Sequence, residues 1–307
     1  MKKFVGIVVA VCLLWGMTAV AQEDVKGTVG FTFMSSQDMF QNILRVEFEK
    51  EAKKYPGIKV NVIDPQMDIE RQLAAIETFL AQEVDVIVCS PLDFAGSVPG
   101  VEAANAEGVP FIALNSVVGG GDFIYAGSSN LEAGQLQGDF LAEVLPEGAK
   151  ILYLRGEEGM EHTMLRRQGI QENLLDKRPD VELLAEQTAR YQRPMGMQVM
   201  EDWIQLFPEF DAVVSANDEM ALGAIEALKS NNRLEGVIVV GIDATPDAIA
   251  SLRRGEMTMT VLQDAPEQAR RAMQVAAMAI KGEKLEKEYL IPFRPITLDN
   301  VDEYFPQ

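Results

Sequence analysis

The stretch Ser215–Leu228, SANDEMALGAIEAL, places Asn217, Asp218 and Glu219 where an apolar run, FDAVV, hands over to a helical pattern. Two kinds of chemistry fit. Asn217 can cap the helix, with Asp218 and Glu219 suited to its positive end. Alternatively the cluster faces a ligand, since ligands of open α/β sheets bind at the carboxyl ends of strands. Elsewhere the reactive inventory is thin. His162 is the only histidine and lies one helical turn before Arg166, so the two can share a face. It has no partnered nucleophile and so gives no triad. There is no His/Cys cluster to hold a metal. Asp38 and Asp243 could be imagined as an acid/base pair, because glycosidases set two carboxyls across the bond. The GGGD run at 119–122 is followed by FIYAG rather than a helix, so it reads as a loop and not a phosphate cradle. Cys89, in VDVIVCSP, reads as a small buried core residue.

These residues sit in a regular series. From Gly27 short apolar runs alternate with amphipathic stretches: KGTVGFTFM, IKVNVID, VDVIVCSP, VPFIAL and FIYAGS as strands, with helices between. The pattern restarts with LEAGQLQGDFLAEVL as a helix. AKILYLRG, VELLAEQTA, DAVVSAN, GVIVVGID and MTMTVLQD follow as strands, and PEQARRAMQVAAMAIKG closes the series as a long helix. The apolar runs are continuous, as expected of parallel strands buried on both faces. Repeated βα units with right-handed crossovers make a doubly wound sheet, and two series make two similar lobes with a cleft between. The terminal PFRPITLDNVDEYFP is expected to pack as a strand and turn.

The N-terminus carries two lysines, an apolar stretch from Phe4 to about Met17, and small residues ending in Ala19–Ala21. This is the pattern of a secretory signal peptide over residues 1–21, cleaved after Ala21, so the protein is expected to be exported to the periplasm. Retention of the segment as an anchor is the alternative. Without it the chain has 25 basic and 47 acidic residues, a formal charge of −22. Such a surface suits neither nucleic acid nor anionic lipid.

Two segments carry a resemblance. VVSANDEMALGAIEALKSN and VIVVGIDATPDAIASLRRGEMTMTVLQD resemble the strand–helix signatures of periplasmic sugar-binding proteins of the ribose and galactose/glucose type. Those proteins serve ABC importers and sometimes chemotaxis. The similarity spans about residues 27–292. It implies two parallel-sheet α/β lobes joined by three crossover strands, one lobe comprising 26–128 with 264–292 and the other 129–263 with 293–307.

The resemblance also assigns a site. Sugar hydroxyls need directed donors and acceptors, and sugar C–H faces need flat apolar partners. Asp38 and Phe40 fall at a polar partner and a stacking ring, with a helix cap and a core residue as their structural alternatives. Gln41 stands where the ribose type has a second phenylalanine. Asn115 matches the galactose/glucose type, while Ser116 departs from an arginine of the ribose type and could be a turn residue. Arg166 takes the place of a sugar-binding arginine, whose guanidinium can donate to two oxygens at once. His162 could reach a hydroxyl. Tyr191 matches a stacking aromatic, Asn217 and Asp243 a polar pair at successive strand ends, and Gln263 a glutamine at the inter-lobe crossing. Arg167 reads as a surface residue, and Asp218 as support for the helix start or a neighbouring loop. No cofactor and no calcium loop are expected.

The function implied is capture of a neutral monosaccharide or polyol by a monomer that hinges shut and delivers it to the membrane subunits of an ABC permease. A chemoreceptor or histidine kinase is the partner in the sensory alternative. A sugar-active enzyme is a further rival. A sugar-responsive repressor is a weaker one, because a signal peptide stands where its DNA-binding segment would be.

Overall fold

A computed structural model describes residues 25–306. The proposed signal peptide lies outside the described residues. The first sheet is built from β1 (Gly27–Thr32), β2 (Ile58–Ile63), β3 (Val86–Cys89), β4 (Phe111–Leu114), β5 (Ile124–Gly127) and the late β11 (Glu288–Leu290), in the order β11-β5-β4-β3-β1-β2. All of its pairings are parallel. The second contains β6 (Lys150–Arg155), β7 (Glu182–Thr188), β8 (Ala212–Ser215), β9 (Ile238–Asp243), β10 (Met259–Leu262) and β12 (Arg294–Ile296), in the order β12-β10-β9-β8-β6-β7. The two orders have the same form, as expected of two similar lobes. Parallel pairing is broken once, where β12 runs antiparallel to β10.

The continuous apolar runs have the expected cause. On β3, Val86 and Val88 pack toward α1 (Met39–Ala52) and α9 (Ala265–Ile280). Ile87 and Cys89, pointing the other way, pack with α2 (Ile69–Ala81) and α3 (Val98–Ala106). Alternate residues serve opposite layers, so neither parity can be polar. In the second lobe α4 (Asn130–Val144) packs on α5 (Glu161–Ile170), and α6 (Arg193–Leu206) packs on α7 (Asp218–Ser230). Two features depart from the reading of the sequence. The helix through 162–177 ends in a π-helical turn, Gln171–Leu175, and the C-terminal segment adds a short helix, α10 (Val301–Tyr304), after its strand.

The chain passes between the sheets three times, from β5 into α4, from β10 into α9, and from β11 into β12. No helix among the described residues is long and apolar enough to cross a membrane.

Candidate functional site

A cleft of about 370 Å³ opens between the two sheets, and all ten candidate residues line it. The strand ends deliver them. Asp38, Phe40 and Gln41 follow β1, and Asn115 follows β4. From the second sheet, His162 and Arg166 lie on α5 after β6, Tyr191 follows β7, Asn217 follows β8, and Asp243 ends β9. Gln263 follows β10, on the second passage between the sheets.

On the first lobe, Asp38 is the N-cap of α1, its Oδ1 accepting the Gln41 N–H at 2.8 Å. Its two structural alternatives are therefore combined, cap and cleft wall in one side chain. Burial raises its pKa above the ordinary carboxylate value. Gln41 donates from Nε2 to Asn115 Oδ1 at 3.1 Å, and Asn115 donates onward to Gln268 at 3.3 Å. Asn115 adopts φ +71°, a left-handed conformation that asparagine tolerates better than most residues.

The second lobe centres on Arg166, which is 4% exposed. Its Nε donates to Asn130 Oδ1 at 3.2 Å, Nη1 to the Ala216 carbonyl at 2.6 Å and Nη2 to Gln263 Oε1 at 3.0 Å. The guanidinium is thus fixed by neighbours on three elements. The His162 and Tyr191 rings lie 4.9 Å apart at 37°. Burial first, then the Arg166 charge, holds the His162 pKa well below the ordinary value, so the imidazole is neutral at pH 7. Tyr191 shares a 2.8 Å hydrogen bond with Thr163 and adopts φ +60°. Asn217 Oδ1 accepts the Met220 N–H at 3.0 Å as the cap of α7, while its Nδ2 donates to the Tyr191 carbonyl at 3.4 Å.

Two polar groups are left open. The Asp243 carboxyl receives no hydrogen bond from the described residues, and Gln263 Nε2 is buried without a partner. Both sit at the cleft, so a ligand with donors and acceptors would complete them. Phe40, Tyr191 and His162 line the same cleft.

Several features escaped the sequence. Ser116 is no simple turn residue: it is 2% exposed, and its hydroxyl lies 3.2 Å from Glu161 Oε2 and 3.4 Å from His162 Nδ1. Glu161 also accepts from Asn130 at 2.9 Å. Met34, Met39, Met67 and Met160 add thioether surface to the cleft. Glu219, read as a helix-start residue, also lines it and pairs with Arg193 at 2.9 Å. Arg167 stays outside, paired with Glu186 at 2.8 Å. The lobes also touch directly. The Phe94 N–H donates to the Gly159 carbonyl at 2.9 Å, and Met34 and Leu92 of the first lobe pack into the second lobe's core cluster beside Met160 and Tyr191.

This architecture has known relatives. Residues 29–284 match the periplasmic binding protein domain. The chain belongs to that family. This periplasmic binding protein, of the ribose and galactose type, is 33% identical to a putative rhizopine-binding protein of Rhizobium meliloti, with 99% of each chain covered. It is 31% identical to a ribose import binding protein of Bacillus subtilis, over 96% of this chain and 98% of that one. An ABC transporter solute binding protein from Bacillus halodurans, solved with bound myo-inositol, superposes with a TM-score of 0.87 at 34% identity, covering 92% of this chain and 98% of that one.

Proposed function

We propose that this periplasmic binding protein captures a monosaccharide or related polyol in the cleft and delivers it to an ABC permease. Residues 26–128 with 264–292 act as one lobe, and 129–263 with 293–307 as the other. The ten cleft residues are the binding set. The single observation that carries this reading is the convergence of strand-end polar side chains from both sheets on one cleft, with the Asp243 carboxyl and Gln263 Nε2 left for a ligand. The relatives named above, whose names and bound molecule are those of sugar and polyol binders, support the class.

Closure follows from the same geometry. A ligand that touches Asp38 and Asn115 on one side and Arg166 and Asp243 on the other favours the closed form by its differential affinity for it. The Phe94–Gly159 and Ser116–Glu161 contacts hold that form together. Nothing in the set calls for bond cleavage: the Ser116 hydroxyl beside His162 is 2% exposed and donates to Glu161, and Asp38 is engaged as a helix cap.

A thermal-shift screen across monosaccharides and polyols tests the proposal, since a ligand that binds only the folded chain raises Tm. A saturable rise with at least one member is expected. No rise with any member overturns the reading.

A further inference from the structure

Asn115 stands in a chain of side-chain amides that runs from a backbone N–H to a segment joining the two sheets. The Met34 N–H donates to Gln41 Oε1 at 3.4 Å. Gln41 Nε2 donates to Asn115 Oδ1 at 3.1 Å, and Asn115 Nδ2 donates to Gln268 Oε1 at 3.3 Å. Gln268 Nε2 closes the chain on the Ser128 hydroxyl at 2.9 Å. Gln41, Asn115, Ser128 and Gln268 are all buried. Gln268 has no exposure at all and does not line the cleft. It lies near the start of α9, just past the second passage between the sheets, and Ser128 lies on the first passage.

The chain has one polarity. A backbone N–H can only donate, so Gln41 turns its oxygen to Met34 and its nitrogen to Asn115. The Asn115 oxygen then faces Gln41 and its nitrogen faces Gln268, whose oxygen accepts and whose nitrogen faces Ser128. Reversing any one of these amides sets donor against donor, at a buried site where an unmade bond is costly. The backbone of Asn115 is held too, its N–H donating to the Ala126 carbonyl at 3.0 Å. One amide hydrogen and one lone pair of the Asn115 side chain are left for the cleft, at fixed positions. All the members of the chain fall within 26–128 and 264–292, the segments assigned to one lobe, so the arrangement does not wait for closure.

We propose that Gln268 is a positioning residue for ligand capture: it locks the Asn115 carboxamide in one orientation while the lobes are still apart. This rests on the cleft being the sugar or polyol site and says how one wall of it is preset. A free carboxamide can flip and exchange its donor and acceptor, so a ligand must freeze one of two arrangements. A locked carboxamide meets a hydroxyl with its pattern already set, which removes that ordering cost from binding.

The test is calorimetry with whichever of ribose, allose, galactose, myo-inositol and xylitol raises Tm most, on wild type, Gln268→Met, Asn115→Gly and the double variant. Gln268→Met keeps the volume and removes the acceptor. It should weaken binding about three- to tenfold, the size of one net hydrogen bond. Asn115→Gly suits the left-handed backbone at that position. In that background Gln268→Met should change affinity by less than about twofold, because the group it positions is gone. Gln268→Glu, which still accepts from Asn115 Nδ2, should recover most of the affinity that Gln268→Met loses. An equal loss in both backgrounds, or no loss on Gln268→Met, overturns the proposal and leaves the sugar-binding reading standing. Relaxation of the side-chain amide 15N in ligand-free wild type decides the matter even if the variants do not fold. The Asn115 amide should be as rigid as the backbone, with an order parameter of about 0.85, and a value below about 0.6 overturns the proposal. If none of the five sugars and polyols binds, the sugar-binding reading fails and the capture role of Gln268 with it.

Discussion

The Asp218 carboxylate holds the backbone of Thr245, its Oδ2 accepting the Thr245 N–H at 2.9 Å. Its other oxygen accepts the Thr260 hydroxyl at 2.7 Å, and that hydroxyl accepts the Ala244 N–H at 3.2 Å. The turn so held is strained, with Asp243 at φ +125° and Ala244 at +57°. Strain of this kind costs about 1–3 kcal/mol per residue and persists only where the surroundings impose it. Asp218, buried at the start of α7, is therefore a bracket for the turn that presents Asp243 to the cleft.

Replacing Asp218 by alanine strands a buried hydroxyl and a buried N–H. The expected loss of stability is about 2–6 kcal/mol, from two unpaired groups at about 1–3 kcal/mol each. Ligand affinity should fall with it, through Asp243. In an Asp243→Ala background the further loss of affinity should vanish, while the loss of stability remains. Urea denaturation and calorimetry on the four proteins measure the two effects separately.

Gly159 marks the contact between lobes. It adopts φ +82°, and a Cβ there would overlap the Asp93 carboxylate of the first lobe. Gly159→Ala meets both penalties, the backbone one being about 1–2 kcal/mol. Affinity should drop by about tenfold, since the overlap with Asp93 arises only when the lobes meet, while the backbone penalty is present in the open form as well. Calorimetry at unchanged cleft composition checks it. An unaltered affinity would mean that the Phe94–Gly159 bond plays no part in closure.

Glu161 sets a pH dependence. Burial raises its pKa to about 7, against hydrogen bonds from Ser116 and Asn130 that lower it. An acid with a raised pKa binds its proton more tightly in the folded chain. It therefore destabilises the fold progressively as pH rises from about 4.5 to about 7, and fully above that. The upper limit is about 3 kcal/mol. Asp38, Asp218 and Asp243 are shifted upward as well, so the wild type alone mixes several groups. The difference between wild type and Glu161→Gln isolates this one. Denaturation midpoints at pH 5 and pH 8 should show the wild type losing more stability than the variant across that interval.

What the sequence shows and what it hides divide along a physical line. Strands, layers and the two-lobe order are written in local patterns, because burial on both faces forces continuous apolar runs such as Val86–Cys89. The strand-end residues follow from that frame together with the family likeness. Asn217 shows that cap and cleft wall are not alternatives, since its Oδ1 caps α7 while the side chain faces the cleft. The Ser116–Glu161–Asn130 cluster is different. Its members come from a loop after β4 and from two helices, and only folding brings them within 3.2 Å. The terminal strand β12 is legible in PFRPITL, but its antiparallel pairing with β10 is not, because direction depends on a partner about thirty residues away.

The central claim is that the inter-lobe cleft binds the ligand. Titrating the ligand that gives the largest rise in the thermal-shift screen into wild type, Arg166→Ala and Asp243→Ala tests it most directly. One-to-one binding to the wild type is predicted, weakened in each variant by about 1–3 kcal/mol or more, as buried polar groups lose charged partners. Unchanged affinity in both variants would contradict the account.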